Sequence, residues 1–395
     1  IVGIEDPPRE GVREAVALCR RAGIHLAVVT GDHPGTARAI ADEVGLRLPD
    51  APVLEGRDLP EDLDTLGRLL DHDGVVVARV EPEQKLRIAR ALHRQGHVVA
   101  MTGDGVNDGP ALREADIGVA MGLGGTDIAR EAADLVLLDD HFATIVAAVN
   151  QGRATFANIR RFLTYHLTDN VAELTPFMVW AISGGSFPLA IGVLQVLALD
   201  IGTDLLPALA LGAEPANPRT LAGPIRTERL VDGPLLRRVF GVLGPTEAAV
   251  EMAAFTAVLL AGGWAWGTEP GDALFATASG AAFSAVVLGQ LANAYACRSE
   301  TRWVGMVGVR GNPLLAGAVA AELAMLAAFL LVPPLSAALG GTVPNGIGWL
   351  VAAAAIPAVL LADAAHKEWR ARAKQRRPRV GDRPASAVAR QAPVR

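Results

Sequence analysis

The 395-residue chain reads as an α/β domain followed by an all-α bundle of six transmembrane helices. Three observations carry this reading. Residues 1 to about 150 alternate short Val-rich runs with amphipathic stretches, the pattern of a parallel sheet wound with helices. Beyond Arg161 come six apolar stretches, each near the roughly 20 residues that a helix needs to cross a bilayer core. Lys and Arg vanish from those stretches and return only between alternate pairs of them, as cytoplasmic loops require. The composition agrees: 51% hydrophobic residues, 20% charged residues and a mean hydropathy of +0.32 argue against a disordered or wholly soluble chain.

In the first part, HLAVVT (25–30), GVVVARV (74–80) and HVVAMT (97–102) are short and rich in Val, and each ends in Thr or at a polar turn. They are predicted as buried strands, with a fourth at DIGVAM (116–121) and a fifth at ADLVLL (133–138). Between them, residues 13–22, 35–44 and 83–94 carry apolar side chains at helical spacing. The expectation is a doubly wound α/β arrangement, whose ligands sit at the carboxyl ends of the strands.

The apolar stretches are 162–183, 187–212, 239–263, 273–297, 313–335 and 346–364, and no Lys or Arg occurs over 162–218, 239–297 or 311–366. The intervening loops hold Arg219, Arg226, Arg229, Arg237 and Arg238, then Arg298, Arg302 and Arg310. Six spans with both ends cytoplasmic satisfy every loop, which makes a multi-pass protein of the cell membrane, with the lipid bilayer as its surroundings. From Lys367 the tail is rich in Arg, Ala and Pro without apolar periodicity, and is expected to be disordered, solvated and cytoplasmic. The domain division follows as 1–152, 153–366 and 367–395. A net charge of -6 with no single basic face excludes a nucleic-acid partner. Cys19 and Cys297 are far apart and support neither a disulfide framework nor a metal site. The chain opens on Ile1, without the features of a signal peptide, and is expected to start inside a domain.

The strand ends carry chemistry. Thr30-Gly31-Asp32 offers a hydroxyl, a flexible Gly and a carboxylate, and ARVEPEQK ends in Lys85, an ammonium suited to a phosphoryl oxygen. TGDGVNDGPAL (102–112) crowds Asp104, Asn107 and Asp108 into one turn, at i, i+3 and i+4. Two such carboxylates repel unless a cation compensates, and Mg2+ is the natural ion because it takes one or two carboxylates with phosphate oxygens and water. The set amounts to an electrostatic cradle for a transferring phosphoryl group, lacking a nucleophile. The nearby MGLGGTD (121–127) has neither nucleotide-loop spacing and is expected to be a turn.

Within the spans, acidic residues cost roughly 2.5–3.5 kcal/mol each at the bilayer centre. Glu173, Asp200 and Asp204 must therefore face something polar, and no span supplies a base. Asn170 and Glu173 share a helix face, as do Asp200, Thr203 and Asp204. Gly202 and Pro207 flank the second group, and Pro frees a backbone carbonyl. Gln290 and Asn293 stand at helical spacing in the fourth span. Together these residues are candidate ligands of a transported cation. Glu247, Glu251 and Glu322 are weaker candidates, nearer span ends or without a motif.

At this point the sequence resembles the cation-transporting P-type ATPases, of the calcium or sodium/potassium pump type, which have a haloacid-dehalogenase-like domain. The resemblance is carried by DPPR (6–9), TGD (30–32), ARVEPEQK (78–85), MTGDGVNDGPAL (101–112), ADIGVAMG (115–122), LLDDHFATIV (137–146), NVAELTPF (170–177) and LDIGTDLLPALALGAE (199–214). It implies a partial Rossmann-type phosphorylation domain in which Asp104, Asp108, Asn107, Lys85 and Thr30-Gly31-Asp32 handle Mg2+ and an aspartyl phosphate. ATP is implied as the energy source, bound by parts that this sequence does not contain. Gly109 departs mildly from the family's usual Ala or Ser. The family's DKTGT segment, which holds the phosphorylated Asp, occurs nowhere in these residues. The resemblance is to the carboxyl-terminal part of a pump, expected to be inactive alone. Asp200 brings it nearer the sodium/potassium type, while Ca2+, Na+, K+ and H+ all stay open as the transported ion. The rival readings are a membrane-anchored phosphatase, which lacks its nucleophile here, and a non-catalytic membrane protein or a subunit complementing a separately encoded amino-terminal half.

Overall fold

The computed structural model describes residues 7–216, 229–308 and 311–375. The chain divides into two compact units, one of residues up to Ala154 and the other chiefly of those from Thr155.

In the first unit, α1 (Val12–Arg21), β1 (Ala27–Val29), α2 (Pro34–Glu43), β2 (Val53–Glu55), α3 (Leu63–Leu70), β3 (Val75–Ala78) and α4 (Pro82–Arg94) come first. They are followed by β4 (Ala100–Gly103), α5 (Gly109–Glu114), β5 (Ile117–Met121), α6 (Asp127–Ala132) and β6 (Leu135–Leu137). The strands form two sheets, ordered β1-β3-β2 and β4-β5-β6, and every pairing is parallel. The central β3 is buried throughout. Val75 and Val77 pack with Leu66, Leu70, Ile88 and Ala91 of α3 and α4, whereas Val76 and Ala78 pack with Val16, Ala37 and Ala41 of α1 and α2. Strand alternation thus feeds two cores, one on each side. Helix starts are fixed locally: Pro34 and Pro82 occupy first-turn positions, and Asp62 caps α3 by accepting from Thr65 N–H at 2.8 Å.

All five predicted strands and the three predicted helices of this unit are present, although β2, α3, α5 and α6 had no prediction. The short β2 and the six-residue α5 and α6 are below the length at which periodicity speaks. In α3, Gly67 breaks the apolar pattern because a Cβ there would lie 2.6 Å from the Ala91 carbonyl of α4.

The long α7 (Phe142–Ile182) leads into the second unit. There α8 (Val193–Gly212), α9 (Gly233–Ala261), α10 (Asp272–Cys297), α11 (Pro313–Leu331) and α12 (Gly346–Ala353, resuming as Ala355–Gln375) follow. Among the described residues, five helices, α8 to α12, are long and apolar enough to cross a membrane. The expected first span, 162–183, lies within α7 but is not one of these five, because Asp169, Asn170 and Glu173 dilute its apolar character. The structure therefore gives five apolar spans where the sequence predicts six. The tail also needs correction: residues 367–375 continue α12 as helix, held by donation from Lys367 Nζ to the Ala296 carbonyl at 2.9 Å. Residues 376–395 of the expected tail lie outside the described residues.

Small residues make α10 the centre of this unit, with nearly every side chain from Ala278 to Cys297 buried. Gly280 is required there, since any Cβ would collide with the Thr342 carbonyl. A layer of ion pairs ties the helix ends together. Arg160 of α7 bonds Asp232 (3.1 Å) and Glu300 (2.8 Å), and Arg298 bonds Glu214 (2.7 Å), which also accepts from Asn312 (2.7 Å). Arg238 reaches Asp363 (2.7 Å) and the Ala296 carbonyl (3.0 Å), and Lys367 bonds the same Asp363.

Candidate functional site

The first unit gathers its polar loops at strand ends. Thr30 follows β1, held by N–H donation to the Val77 carbonyl (2.9 Å) while its own carbonyl accepts from Val80 N–H (3.0 Å). Its hydroxyl accepts from Asp32 N–H at 3.1 Å, which folds Thr30-Gly31-Asp32 into a tight turn with Gly31 and Asp32 exposed. Lys85 lies near the start of α4, set by Pro82 and by the Glu81–Gln84 capping pair. Its ammonium donates to Asp108 Oδ1 at 2.6 Å, while Asp108 Oδ2 accepts from the N–H groups of Asp104 (3.3 Å) and Gly105 (3.2 Å). This carboxylate is buried and held from two sides. Gly103 makes room for it, because a Cβ there would come 2.5 Å from the Asp108 Cβ. Asp104 and Asn107 are exposed, and their side chains are free of hydrogen bonds among the described residues.

The structure thus joins Lys85, Asp108 and the Asp104 backbone directly. No bond among the described residues links Thr30, Gly31, Asp32 or Asn107 to that group. Of the segment 121–127, residues 122–126 form the connection between β5 and α6, in which Leu123 N–H (3.0 Å) and Gly124 N–H (2.7 Å) both donate to the Asp140 carboxylate.

In the second unit, Glu173 of α7 with Asp200 and Asp204 of α8 bring one carboxylate oxygen each within 4.8 Å of one another. The stretch Leu199–Asp204 is a widened π turn inside α8, a feature frequent at functional sites. Pro207 then leaves the Thr203 carbonyl without its helical donor. Gln290 of α10 bridges the two helices, donating to Glu173 Oε1 (3.4 Å) and accepting from the Thr203 hydroxyl (3.3 Å). Asn293 donates to Asp169 Oδ1 (3.1 Å) and to the Tyr165 carbonyl (3.4 Å). Asn170, by contrast, donates back to the His166 carbonyl of its own helix (2.8 Å) and bonds to none of these groups.

Two family profiles match the chain. A family profile described as "Cation transporting ATPase, C-terminus" matches residues 188–369, and one described as "haloacid dehalogenase-like hydrolase" matches residues 1–116. The alpha-2 subunit of the sodium/potassium-transporting ATPase of Rattus norvegicus is 35% identical over 391 residues, covering 85% of this chain. The chain belongs to the cation-transporting P-type ATPases. The alpha-2 subunit of Homo sapiens gives the same figures of 35% and 85%, and the alpha-A subunit of Artemia franciscana is 42% identical over 276 residues, 63% of the chain. This P-type ATPase chain spans 38% of the length of the rat and human relatives and 27% of that from Artemia.

Within the P-type ATPase chain, sequence reading missed Asp169, which is fully buried on α7. It stands four positions before Glu173 and so shares a helix face with it, as Asn170 does at three; the acid in the apolar run was the available signal. Glu247, Glu251 and Glu322, rated weaker on sequence, are all buried with no hydrogen-bond partner on any carboxylate oxygen. No Lys or Arg among the described residues bonds to any of these acids.

Proposed function

We propose that this chain supplies the phosphate-handling loops and the cation path of an ATP-driven cation pump. The reading rests on one observation above all: Glu173, Asp200 and Asp204 converge within 4.8 Å between membrane helices, with no base to pair them. In their charged form, carboxylates so placed need a positive guest, and their all-oxygen character, completed by Gln290, Thr203 and the freed Thr203 carbonyl, suits a hard cation such as Na+, K+ or Ca2+, with H+ the alternative that protonates them. Asn170 and Asn293 flank this path.

In the first unit, the donor set fits Mg2+. The Asp104 carboxylate is exposed and unengaged, while Asp108 is oriented beside it by Lys85 and two N–H groups. Bound there, the ion would neutralise phosphoryl oxygens during transfer. Lys85 supplies a second positive charge, Thr30 a hydroxyl, Gly31 a backbone that permits close approach, and Asp32 and Asn107 polar groups at the rim. ATP and the phosphorylated Asp would come from a part of the pump outside this sequence, in which DKTGT does not occur.

The proposal makes α7 the sixth span and the coupling element, since its sequence runs from Phe142, just after β6, to Glu173 and beyond. It places both chain ends on the cytoplasmic side of the cell membrane. The deciding experiment is ATP-driven flux of several cations by a full-length pump that contains this chain. Asp200→Asn and Asp204→Asn are each expected to lower flux of the transported ion by about tenfold or more, in line with a loss of at least ~1.4 kcal/mol of ligand energy. Unchanged flux in both variants would refute the ligand assignment.

A further inference from the structure

The glycine-rich segment between β5 and α6 has no part in the chemistry proposed above, yet it is fastened at both ends. At one end, Thr126 donates to the Asp104 carbonyl from its N–H (2.9 Å) and from its hydroxyl (3.3 Å). The Asp104 N–H is already given to Asp108 Oδ2, so the backbone is pinned on both sides of the free Asp104 carboxylate. At the other end stands Asp140, buried two residues before α7. Its two carboxylate oxygens accept one N–H each, from Leu123 and from Gly124.

The residues between the two ends are engaged as well. Gly122 N–H donates to the Leu137 carbonyl (2.9 Å), and Arg130 of α6 donates to the carbonyls of Gly122 (2.9 Å) and Gly125 (2.7 Å). Surface loops ordinarily leave such groups to water and move, whereas this one commits them to protein. Its glycines permit the closeness: a Cβ at Gly125 would fall 2.0 Å from the Met121 carbonyl oxygen, and one at Gly124 would lie 3.2 Å from Asp140 Oδ2. Asp140 itself has a φ of 51°, in the left-handed region that costs energy for any residue with a Cβ. Its carbonyl accepts from Arg9, so carboxylate and backbone together hold it in that conformation.

We propose that residues 122–126 are a brace between the Asp104 loop and the start of α7, and that Asp140 is a positioning residue for Asp104. Asp140 touches neither Asp104 nor its ion; it acts through the loop, which fixes the backbone from which the Asp104 carboxylate projects. The proposal rests on the Mg2+ reading of Asp104 above. It adds a consequence of linkage: an ion that orders Asp104 also orders the residues around Asp140, and loosening those residues weakens the ion.

The test is amide hydrogen exchange read by mass spectrometry on the purified full chain in lipid nanodiscs, with Mg2+ binding to the same samples measured by calorimetry. Asp140→Gly removes the carboxylate while relieving the left-handed backbone, so a residue that served only the turn would be replaced without loss. In metal-free buffer this variant should exchange about tenfold faster over 122–126 and also over 103–108, which Asp140 does not touch. Saturating Mg2+ should slow exchange over 103–108 and 140–146 in the parent, and should bind Asp140→Gly about fivefold more weakly. Asp140→Asn keeps the turn but offers one accepting oxygen in place of two, and should show the same pattern at smaller size. Parent-like unfolding midpoints identify the variants that have kept the fold. Faster exchange confined to 122–126 and 139–142, with 103–108 and the Mg2+ affinity unchanged, overturns the brace and leaves the metal reading standing. Equal Mg2+ binding by the parent and by Asp104→Asn overturns the metal reading, and the positioning role with it.

Discussion

At the residue scale, two glycines six positions apart show how much of the phosphate loop is backbone geometry. Gly103 ends β4 with the Asp108 side chain against its Cα, and a Cβ there would sit 2.5 Å from Asp108 Cβ. Gly109 opens α5 with helical dihedrals, and a Cβ would meet only Ile128 and Ala132 at ordinary contact distances of 3.6 and 3.7 Å. Gly103→Ala is therefore expected to destabilise the chain by about 1–3 kcal/mol, as overpacking does, and to loosen the Lys85–Asp108 pair. Gly109→Ala should be neutral or stabilising by up to about 1 kcal/mol, because Ala reduces the freedom of the unfolded chain. Thermal unfolding of the two variants side by side measures the contrast, and equal effects would show that the crowding at Gly103 is not real. The sequence made the types of these residues legible, since a carboxylate pair in a Gly-rich turn signals its chemistry. It did not reveal which partners meet. Lys85 and Asp108 are 23 positions apart, and their bond depends on how α4 packs against the end of β4. For Asp169 the acid in an apolar run was visible in the sequence, whereas its partner Asn293, 124 positions away on α10, was not.

Long periodic stretches are the elements that the chain announces. The five strands and the six apolar runs were readable because hydrophobic periodicity accumulates over many residues. The short β2, α5 and α6 exist through tertiary contacts and left no such trace. Helix α8 is intermediate: Gly202 and Pro207 flag an irregular segment, whereas its π form between Leu199 and Asp204 is a matter of packing on neighbours. One such neighbour contact is the α11 pair Met325 and Phe329, which a Cβ at Gly202 would approach to 3.0 Å. The ends of the elements carry a further consequence. Arg238, at the start of α9, is almost fully buried and shares Asp363 of α12 with Lys367. Arg238→Ala removes one partner of a buried pair, a change that costs about 3–5 kcal/mol in other proteins. Lys367 remains to hold Asp363, so a loss at the lower end of that range is expected. Arg238→Lys, which keeps the charge but loses the planar fork, should fall between the two. Unfolding of the purified chain in detergent reads both, and parent-like stability of Arg238→Ala would mean that the α9–α12 junction is held by apolar contacts alone.

For the whole molecule, the ion-pair layer decides how the spans are threaded. It contains Arg160 of α7, Glu214 after α8, Asp232 and Arg238 at the start of α9, Ala296, Arg298 and Glu300 at the end of α10, Asn312 before α11, and Asp363 and Lys367 late in α12. The starts of α9 and α11 thus lie level with the ends of α8 and α10, the later part of α12 and the middle of α7; with α7 as the proposed sixth span, this is the arrangement of an up-and-down bundle. An aromatic group of Phe187, Trp264 and Trp266 belongs to the loops after α7 and α9, where indole rings favour a membrane–water interface. On the proposed orientation, the excess of Arg in the layer belongs on the cytoplasmic side. Cysteine labelling converts this into an observation, with a quiet background because Cys19 and Cys297 are both buried. Glu131, Glu269 and Thr301 are exposed sites in the first unit, the α9–α10 loop and the α10–α11 loop. In intact cells a membrane-impermeant maleimide should label Glu269→Cys, but reach Glu131→Cys and Thr301→Cys only after permeabilisation. If α7 did not cross the bilayer, five spans would remain, and Glu131→Cys would then share the side of Glu269→Cys instead. Labelling of Glu131→Cys without permeabilisation would remove α7 from the bundle, and with it the route from the phosphate loops to Glu173.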